Sequence, residues 1–162
     1  MRGTPKTNDN LLRLSLQMIL DEFDDRLWTY KTHGNCTQDR FRGVQLYYGQ
    51  RDLERDQIYV VPEEFADRFP SDRYGFITTA EMEGFGPGIS CIDQSMERIV
   101  SVVLKLFQEY YAFEASVNNL VASEGTLSEL CALASEFFGN PIYIHDNVFT
   151  VIAMSGWVQG MM

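Results

Sequence analysis

The chain has 162 residues, of which 45% are hydrophobic and 13% aromatic, and its thirteen basic and twenty-three acidic residues leave a formal net charge of −10. This composition supports a folded core and excludes a disordered or low-complexity chain. The negative charge argues against direct nucleic-acid binding, because a phosphate backbone would be repelled. We therefore predict a globular chain that does not itself bind DNA or RNA.

The cysteines and the apolar segments predict a cytoplasmic protein without a membrane partner. The cysteine number is odd and the spacing wide, which argues against a disulfide framework. The apolar run near the amino terminus is interrupted by Arg13 and followed by acidic residues, unlike a signal peptide. The best membrane-span candidate, residues 99–107, contains Lys105 and is shorter than the roughly 18 residues that a span needs.

The first half of the chain predicts a small α+β domain over residues 9–90, preceded by a disordered tail over 1–8. Asp9 or Asn10 is expected to cap a helix that is apolar on nearly every side. Residues 29–42 are polar and predict a loop. Apolar, β-branched and aromatic residues then predict three strands of a small mixed sheet, and Pro62 starts a short helix after the second. The three strands are 44–48, 58–61 and 74–79.

A glycine-rich stretch, 81–88, is expected to separate this domain from a long connecting helix over 91–124. Apolar residues recur along the helix at alternating spacings of three and four, which is typical of a coiled-coil seam. The candidate dimerisation residues are Met96, Ile99, Val103, Leu106, Tyr110, Phe113, Val117 and Leu120.

Further apolar residues widen that helix face beyond what a two-helix seam requires. Two interpretations therefore stay open, a bundle that includes a second subunit and a core helix within one chain. The first interpretation predicts a homodimer, in which the helix could transmit a change of register or geometry.

After the long helix, Thr126 and Glu129 predict a capping box at the start of another helix, which Gly139 and Pro141 end. The period then changes to two, and the residues predict a hairpin with strands over 142–145 and 148–154 and a tight turn at Asp146-Asn147. A helix and two strands do not close a sheet, so this segment predicts the incomplete start of a domain.

At these residues the chain resembles the PucR-type transcriptional regulators, in which a helix running into GNPIYIHDNVFTVIAMS (139–155) opens a GAF-like or PAS-like sensory module. The stretch GVQLYYGQRDLERDQIYVVPEEF (43–65) more loosely resembles their amino-terminal sensory region. The resemblance implies a sensory domain over 9–90, a signalling helix over 91–124 and a truncated GAF-like start over 125–162. It also implies a small-molecule effector and a DNA-reading helix-turn-helix that these residues do not include.

Aromatic residues on or beside the predicted strands could line a cavity for a planar ligand. Pleated sheets also favour aromatic residues in an ordinary core, and that alternative stays open. The candidate ligand-binding residues are Tyr47, Tyr59, Tyr74 and Phe76.

We predict no catalytic centre, no metal site and no cofactor. His33 and Cys36 could offer two metal ligands, but a closed zinc site needs four. His145 beside Asp146 could act as a base and its orienting group, but the sequence places no nucleophile near them and a turn explains both residues. The glycines of 84–88 lack the spacing of a phosphate loop.

The sequence thus predicts a non-enzymatic, signal-sensing part of a PucR-like transcriptional regulator, with the DNA-binding part absent. The competing hypothesis is a stand-alone dimeric protein that binds a small molecule or meets a basic partner through its acidic surface. A third hypothesis is a small hydrolase that uses His145 and Asp146.

Overall fold

The computed structural model describes residues 12–23 and 28–156, and the chain divides into two compact units, residues 1–109 and 110–162. The predicted tail over 1–8 and the predicted capping residues Asp9 and Asn10 lie outside the described residues. Among the described residues, no helix has the length and apolarity that a membrane crossing requires.

A five-stranded mixed sheet forms the centre of the first unit, in the order β1-β5-β4-β3-β2. Strands β2 to β5 are parallel, and β1 pairs antiparallel with β5 at one edge. This architecture confirms the predicted α+β class with a small mixed sheet. The strands are β1 (Lys31–His33), β2 (Gly43–Leu46), β3 (Gln57–Val61), β4 (Gly75–Thr78) and β5 (Gly88–Ser90).

Two of these strands were not predicted. β1 lies within the stretch 29–42 that was predicted to be a loop. β5 begins at Gly88, the last residue of the glycine-rich stretch 81–88, which was expected to lead into the long helix. Both strands have only three residues, so neither contains enough alternation to be recognised from sequence. Their pairing joins Lys31 to Ser90, which are far apart in the chain.

The two faces of the sheet are both buried. Each step from β2 to β5 moves to the neighbouring strand in the same direction, so the right-handed parallel connections cross the same face. On this face, Tyr59, Val61 and Phe76 form one apolar cluster with Phe69 and Met82, which the connections supply. We call it the crossover face. A 3-10 helix, Glu63–Arg68, lies in the connection between β3 and β4.

The opposite face carries the alternate side chains of the same strands. Ile58, Ile77 and Ile89 are fully buried there. The remaining buried apolar side chains of the unit include those of two helices, α1 (Leu16–Asp21) and the first part of α2 (Met96–Ala122). We infer that these helices cover this face, which gives the sheet a helical layer on one side and the crossovers on the other.

The first helix is shorter than predicted and begins later. Ser15 is its cap, and the hydroxyl of Ser15 accepts a hydrogen bond from the Met18 N–H at 3.3 Å. The preceding Leu14 is extended and pairs with Phe41 in an isolated antiparallel bridge, with N···O distances of 2.9 and 2.7 Å. A helix that starts at Asp9 or Asn10 would include residues 12–15, and these residues are not helical. The predicted start is therefore wrong there, because the Leu14 backbone is hydrogen-bonded to Phe41.

In the second unit, helix α3 (Leu127–Phe138) packs against a hairpin of β6 (Ile142–His145) and β7 (Val151–Ser155). The predicted capping box is confirmed, since the Thr126 N–H donates to Glu129 Oε2 at 2.7 Å and the Glu129 N–H donates to Thr126 Oγ1 at 3.2 Å. The predicted stop is also confirmed, because Gly139 is left-handed with φ of 65°.

The hairpin loop is longer than the predicted two-residue turn at Asp146-Asn147. It runs over residues 146–150, so β7 begins at Val151 and not at residue 148. The positive φ of 63° falls on Phe149. Asp146 Oδ1 accepts hydrogen bonds from the Val148 and Thr150 N–H groups, both at 2.9 Å, and these bonds hold the loop in its wider form.

Candidate functional site

An open cleft lies on the crossover face of the first unit, beside the edge strand β1. It has two adjoining lobes of about 550 and 640 Å³. Lys31, Ser71, Met82 and Glu83 line both lobes. Ala66, Asp67, Phe69 and Glu81 complete the lining given for the first lobe, and Thr32, His33, Gly34, Asp72, Gly84 and Phe85 that of the second. We call the two lobes together the β1 cleft.

A buried polar pair lies at the base of the second lobe. His33 is 7% exposed and Ser90 is 1% exposed, and His33 Nε2 lies 3.0 Å from Ser90 Oγ. The pair forms because β1 and β5 are antiparallel neighbours whose side chains alternate, so both residues face the crossover side. The His33 ring also lies 5.5 Å from the Phe76 ring, which places it against the apolar core.

The environment of His33 favours its neutral form. Burial lowers the pKa of His33 from 6.5, and the nearby positive charge of Lys31 lowers it further. A neutral imidazole can donate through one ring nitrogen and accept through the other. The floor of the β1 cleft is therefore uncharged and able to form hydrogen bonds at neutral pH.

Cys36 is buried next to β1 and β5, and its environment disfavours a reactive thiolate. Its thiol donates to the His33 carbonyl oxygen at 3.6 Å and to the Gly88 carbonyl oxygen at 3.7 Å. Burial raises the pKa of Cys36, which disfavours the thiolate that a nucleophile or metal ligand needs. Within the described parts of the chain, no group of three His, Cys, Asp or Glu side chains is placed to hold a metal ion.

Carboxylates dominate the charges that line the β1 cleft. Asp67 and Glu81 line the first lobe, Asp72 lines the second, and Glu83 lines both. Lys31 is the one lysine or arginine among the described lining residues. The lining therefore carries an excess of negative charge at neutral pH.

An aromatic side chain stands in solvent at the wall of the second lobe. Phe85 is 94% exposed, whereas the Phe85 N–H donates to Asp72 Oδ1 at 3.2 Å and ties down the backbone. The flanking glycines permit this position, because a Cβ on Gly86 would overlap the Ser71 backbone and one on Gly84 would lie 2.7 Å from Ser71 Oγ. The glycine-rich stretch is thus packed closely against the residues that follow the 3-10 helix.

The structure brings the candidate ligand-binding aromatics together, but as packed rings of the core. Tyr59 and Phe76 are fully buried, Tyr47 is nearly so, and Tyr74 is half-buried. Phe69 lies among them, with ring centroids 5.0 Å from Tyr47 and 5.8 Å from both Tyr59 and Phe76. The alternative of an ordinary aromatic core accounts for these contacts, and a ligand role for the four residues stays a prediction.

The candidate dimerisation residues divide between the two units. Ile99, Val103 and Leu106 are buried within the first unit. In the second unit the rings of Tyr110 and Phe113 lie 5.0 and 4.2 Å from the Phe137 ring. Met96, Val117 and Leu120 are half-buried. One chain thus already covers a large part of the predicted seam, and dimerisation along α2 stays a prediction.

The other predicted pair, His145 and Asp146, lies at the exposed hairpin loop. His145 Nδ1 is 2.8 Å from the Asp146 carbonyl oxygen, whereas the Asp146 carboxylate accepts loop N–H groups. The two side chains therefore form no base and orienter pair. The third hypothesis, a hydrolase built on them, finds no support in this geometry.

The pairing of His33 with Ser90 was not predicted, because the two residues are far apart in the chain. The sequence suggested Cys36, three residues after His33, as its companion in a site. No protein-family model matches the chain, and no curated protein and no solved structure matches it significantly.

Proposed function

We propose that this chain is a non-enzymatic, signal-sensing part of a transcriptional regulator similar to the PucR type, and that the β1 cleft receives its effector. The cleft is the observation that carries the proposal. The volume of each lobe, about 550 and 640 Å³, falls within the range of small-molecule sites. The His33 ring gives the cleft a polar group whose position is fixed by the Ser90 hydroxyl.

The same geometry favours binding over catalysis. A serine nucleophile must reach the substrate, yet Ser90 is 1% exposed and is absent from the lining of both lobes. The Cys36 thiol is held between two carbonyl oxygens. His33 is thus a group that can recognise a ligand by hydrogen bonding, and neither Ser90 nor Cys36 is placed to act as a nucleophile beside it.

Helix α2 offers the route by which an occupied cleft could act on the rest of the protein. It is continuous from Met96 to Ala122, with its first part in the first unit and its last part in the second. A displacement of its buried residues Ile99 and Val103 would be transmitted along the helix to its carboxyl-terminal part. In this proposal α3 and the hairpin are the start of a GAF-like domain, as the resemblance of residues 139–155 implies.

The test is the mass and DNA association of the native gene product. An antibody raised against residues 28–156 should recover a species much larger than 18.6 kDa from the native cell, and chromatin immunoprecipitation should enrich specific promoter DNA with it. A product of 18.6 kDa, or a longer product that enriches no DNA, would contradict the proposal.

A stand-alone dimeric interaction protein is the second candidate, and the hairpin supports it. The β6–β7 surface turned away from α3 exposes Tyr143, Ile152 and Met154. In a monomer these side chains stay in water, whereas a second copy could cover them. Sedimentation equilibrium tests this, and the Ile152→Glu variant should lower the dimer fraction while Ser128→Glu on α3 should not. An unchanged dimer in the first variant would place the interface elsewhere.

A further inference from the structure

One outer edge of the five-stranded sheet is formed by β2 and the two residues that follow it. β2 is the last strand in the sheet order, and β3 is its neighbour. The Tyr47 N–H donates to the Val60 carbonyl oxygen of β3 at 2.9 Å. Because the backbone groups of successive residues in a strand point to opposite edges, the Leu46 carbonyl and the Tyr48 N–H point away from β3.

The side-chain amide of Gln50 occupies both of these outward-pointing groups. Gln50 Nε2 donates to the Leu46 carbonyl oxygen at 3.1 Å, and Gln50 Oε1 accepts from the Tyr48 N–H at 2.8 Å. In a parallel ladder, one residue of an added strand would donate to the first of these groups and accept from the second. The Gln50 amide thus takes the place of one residue of a sixth strand.

Gly49 makes this arrangement possible. It has φ of 92°, which residues with a side chain rarely adopt, and it turns the chain so that Gln50 comes back beside Leu46. The hydrogen bonds of Gln50 lie on the outer edge of the strand, whereas the bond from Tyr47 to β3 lies on the inner edge. Gln50 can therefore leave its place without a break between β2 and β3.

The same two groups are complementary to those of a second copy of the chain. When two β2 edges meet antiparallel about a two-fold axis at Tyr47, the Tyr48 N–H of each copy faces the Leu46 carbonyl oxygen of the other. This arrangement also places each Leu46 side chain opposite the Tyr48 side chain of the other copy. Leu46 is 51% exposed and Tyr48 is 67% exposed, so the pairing removes apolar surface from water.

The count of hydrogen bonds shows why Gln50 opposes this pairing. Gln50 forms two hydrogen bonds with the edge in each copy, so two copies must break four of them. The pairing at Tyr47 forms two bonds between the chains. A chain with Gln50 in place is therefore favoured over the pair, and removal of the amide shifts the balance toward the pair.

We propose that the β2 edge is a pairing site for a second copy of this chain, and that the Gln50 amide keeps it closed. Displacement of Gln50 from Leu46 and Tyr48 lets two copies join their sheets through β2. The contact is short, so the association is weak and reversible. This inference goes beyond the proposed function and does not depend on it, because the β1 cleft lies at the opposite edge of the sheet.

The experiment is sedimentation equilibrium of Gln50→Ala and of Gln45→Ala, both in the Ile152→Glu background and in added salt. The background removes the hairpin contact described above, and the salt screens the net charge of −10. Gln45→Ala is the matched control, because it shortens an exposed glutamine of β2 itself. The association constant of Gln50→Ala should exceed that of the control about tenfold at protein concentrations up to about 1 mM.

Hydrogen exchange of the Tyr48 amide shows whether the association uses the β2 edge. In dilute Gln50→Ala this amide should exchange faster than in the control, because it has lost its acceptor. Its protection should then rise with protein concentration. Adding Leu46→Lys should abolish this rise, since a charged side chain on an edge strand opposes pairing.

Three results would overturn the proposal. The first is an equal association constant for Gln50→Ala and Gln45→Ala, since the edge would then have no affinity that Gln50 suppresses. The second is an association that leaves the Tyr48 amide unprotected, and the third is one that persists with Leu46→Lys, because either places the contact elsewhere. None of these results bears on the regulator proposal, which is tested by the mass and DNA association of the native gene product.

Discussion

The two units bury their sheets in different ways. In the first unit every residue of β3, β4 and β5 is buried, because the crossovers cover one face and we infer that helices cover the other. In the second unit β6 half-buries alternate residues and β7 buries Ala153, and α3 packs against both strands. Parallel strands require cover on both faces, whereas an antiparallel hairpin can leave one face in water.

This difference has a consequence for each unit. The first unit holds its side chains in fixed positions, whereas the second unit keeps an exposed apolar surface. The His33 and Ser90 side chains hold their places because buried strands on a two-sided core fix them. The hairpin has one buried face and an exposed apolar one, so its cohesion depends on α3. We therefore expect substitutions in the first unit to cost more free energy than equivalent ones in the second.

The largest expected effect comes from truncating a core ring of the first unit. Phe76→Ala should lower the free energy of unfolding by about 3–5 kcal/mol, because Phe76 is fully buried among the Phe69 and His33 rings. Tyr143→Ala, the matched change on the exposed hairpin face, should cost less than about 1 kcal/mol. Native-state hydrogen exchange of the β3 and β7 amides measures the two units separately.

Equal costs for these two substitutions would contradict the contrast between the units. If the Phe76→Ala chain does not fold, Phe76→Leu keeps most of the volume and should still lower the protection of β3 while leaving β7 unchanged.

A second contrast concerns two glycines at which a side chain would be unfavourable for different reasons. A Cβ on Gly88 would overlap the Phe76 ring, so Gly88→Ala should cost about 1–3 kcal/mol through overpacking. Gly139 has nothing within 4 Å of such a Cβ but has φ of 65°, so Gly139→Ala should cost about 1 kcal/mol through backbone strain alone. Urea unfolding followed by amide exchange measures both.

The Gly88 cost should shrink when Phe76 is also made smaller. In the double variant with Phe76→Leu, the two substitutions should together cost less than the sum of their separate costs, because the added methyl group then has room. Strict additivity would mean that the steric account of Gly88 is wrong.

The parts of the fold that the sequence predicts correctly are those whose causes are local. The capping box of Thr126 and Glu129 and the stop at Gly139 depend on residues three or fewer positions apart or on a single residue. β3 is predicted because its run of apolar residues is long enough to be distinctive. β1 and β5 are missed because three residues carry no period, and their existence depends on a partner far along the chain.

The same reason explains why the β1 cleft could not be predicted. Its lining comes from β1, from the residues around the 3-10 helix and from the connection before β5. These segments meet through the parallel crossovers and the antiparallel pairing of β1 with β5. The late start of α1 has a related cause, because the bridge between Leu14 and Phe41 overrides the local helix signal. Pairing between segments that are far apart in the chain thus determines which residues line the candidate site.

A smaller effect is expected at the capping box of the second unit. Thr126→Ala should lower the stability of α3 by about 1 kcal/mol, because the Glu129 N–H loses its acceptor and the Glu129 side chain loses a partner. Ser128→Ala in the first turn of α3 is the control and should change little. Exchange of the α3 amides measures both. A loss of protection that extends equally to β3 would show that the two units unfold together.

The smallest expected effect is a pH dependence of the first unit that arises from His33. Because burial and Lys31 lower the pKa of His33 below 6.5, the unfolded chain binds more protons than the native chain between that value and the lower native pKa. The unfolding free energy of the first unit should therefore fall as the pH decreases through this window, and His33 should contribute no slope well above pH 6.5.

Nuclear magnetic resonance titration of the His33 ring tests the cause as well as the direction. Lys31→Gln removes the coulombic contribution and should raise the pKa of His33 toward its ordinary value, whereas Lys105→Gln on α2 should leave it unchanged. A native His33 that titrates at or above 6.5 would mean that water reaches the ring freely. In that case the floor of the β1 cleft would carry a positive charge in mild acid, and an effector would meet a charged rather than a neutral imidazole there.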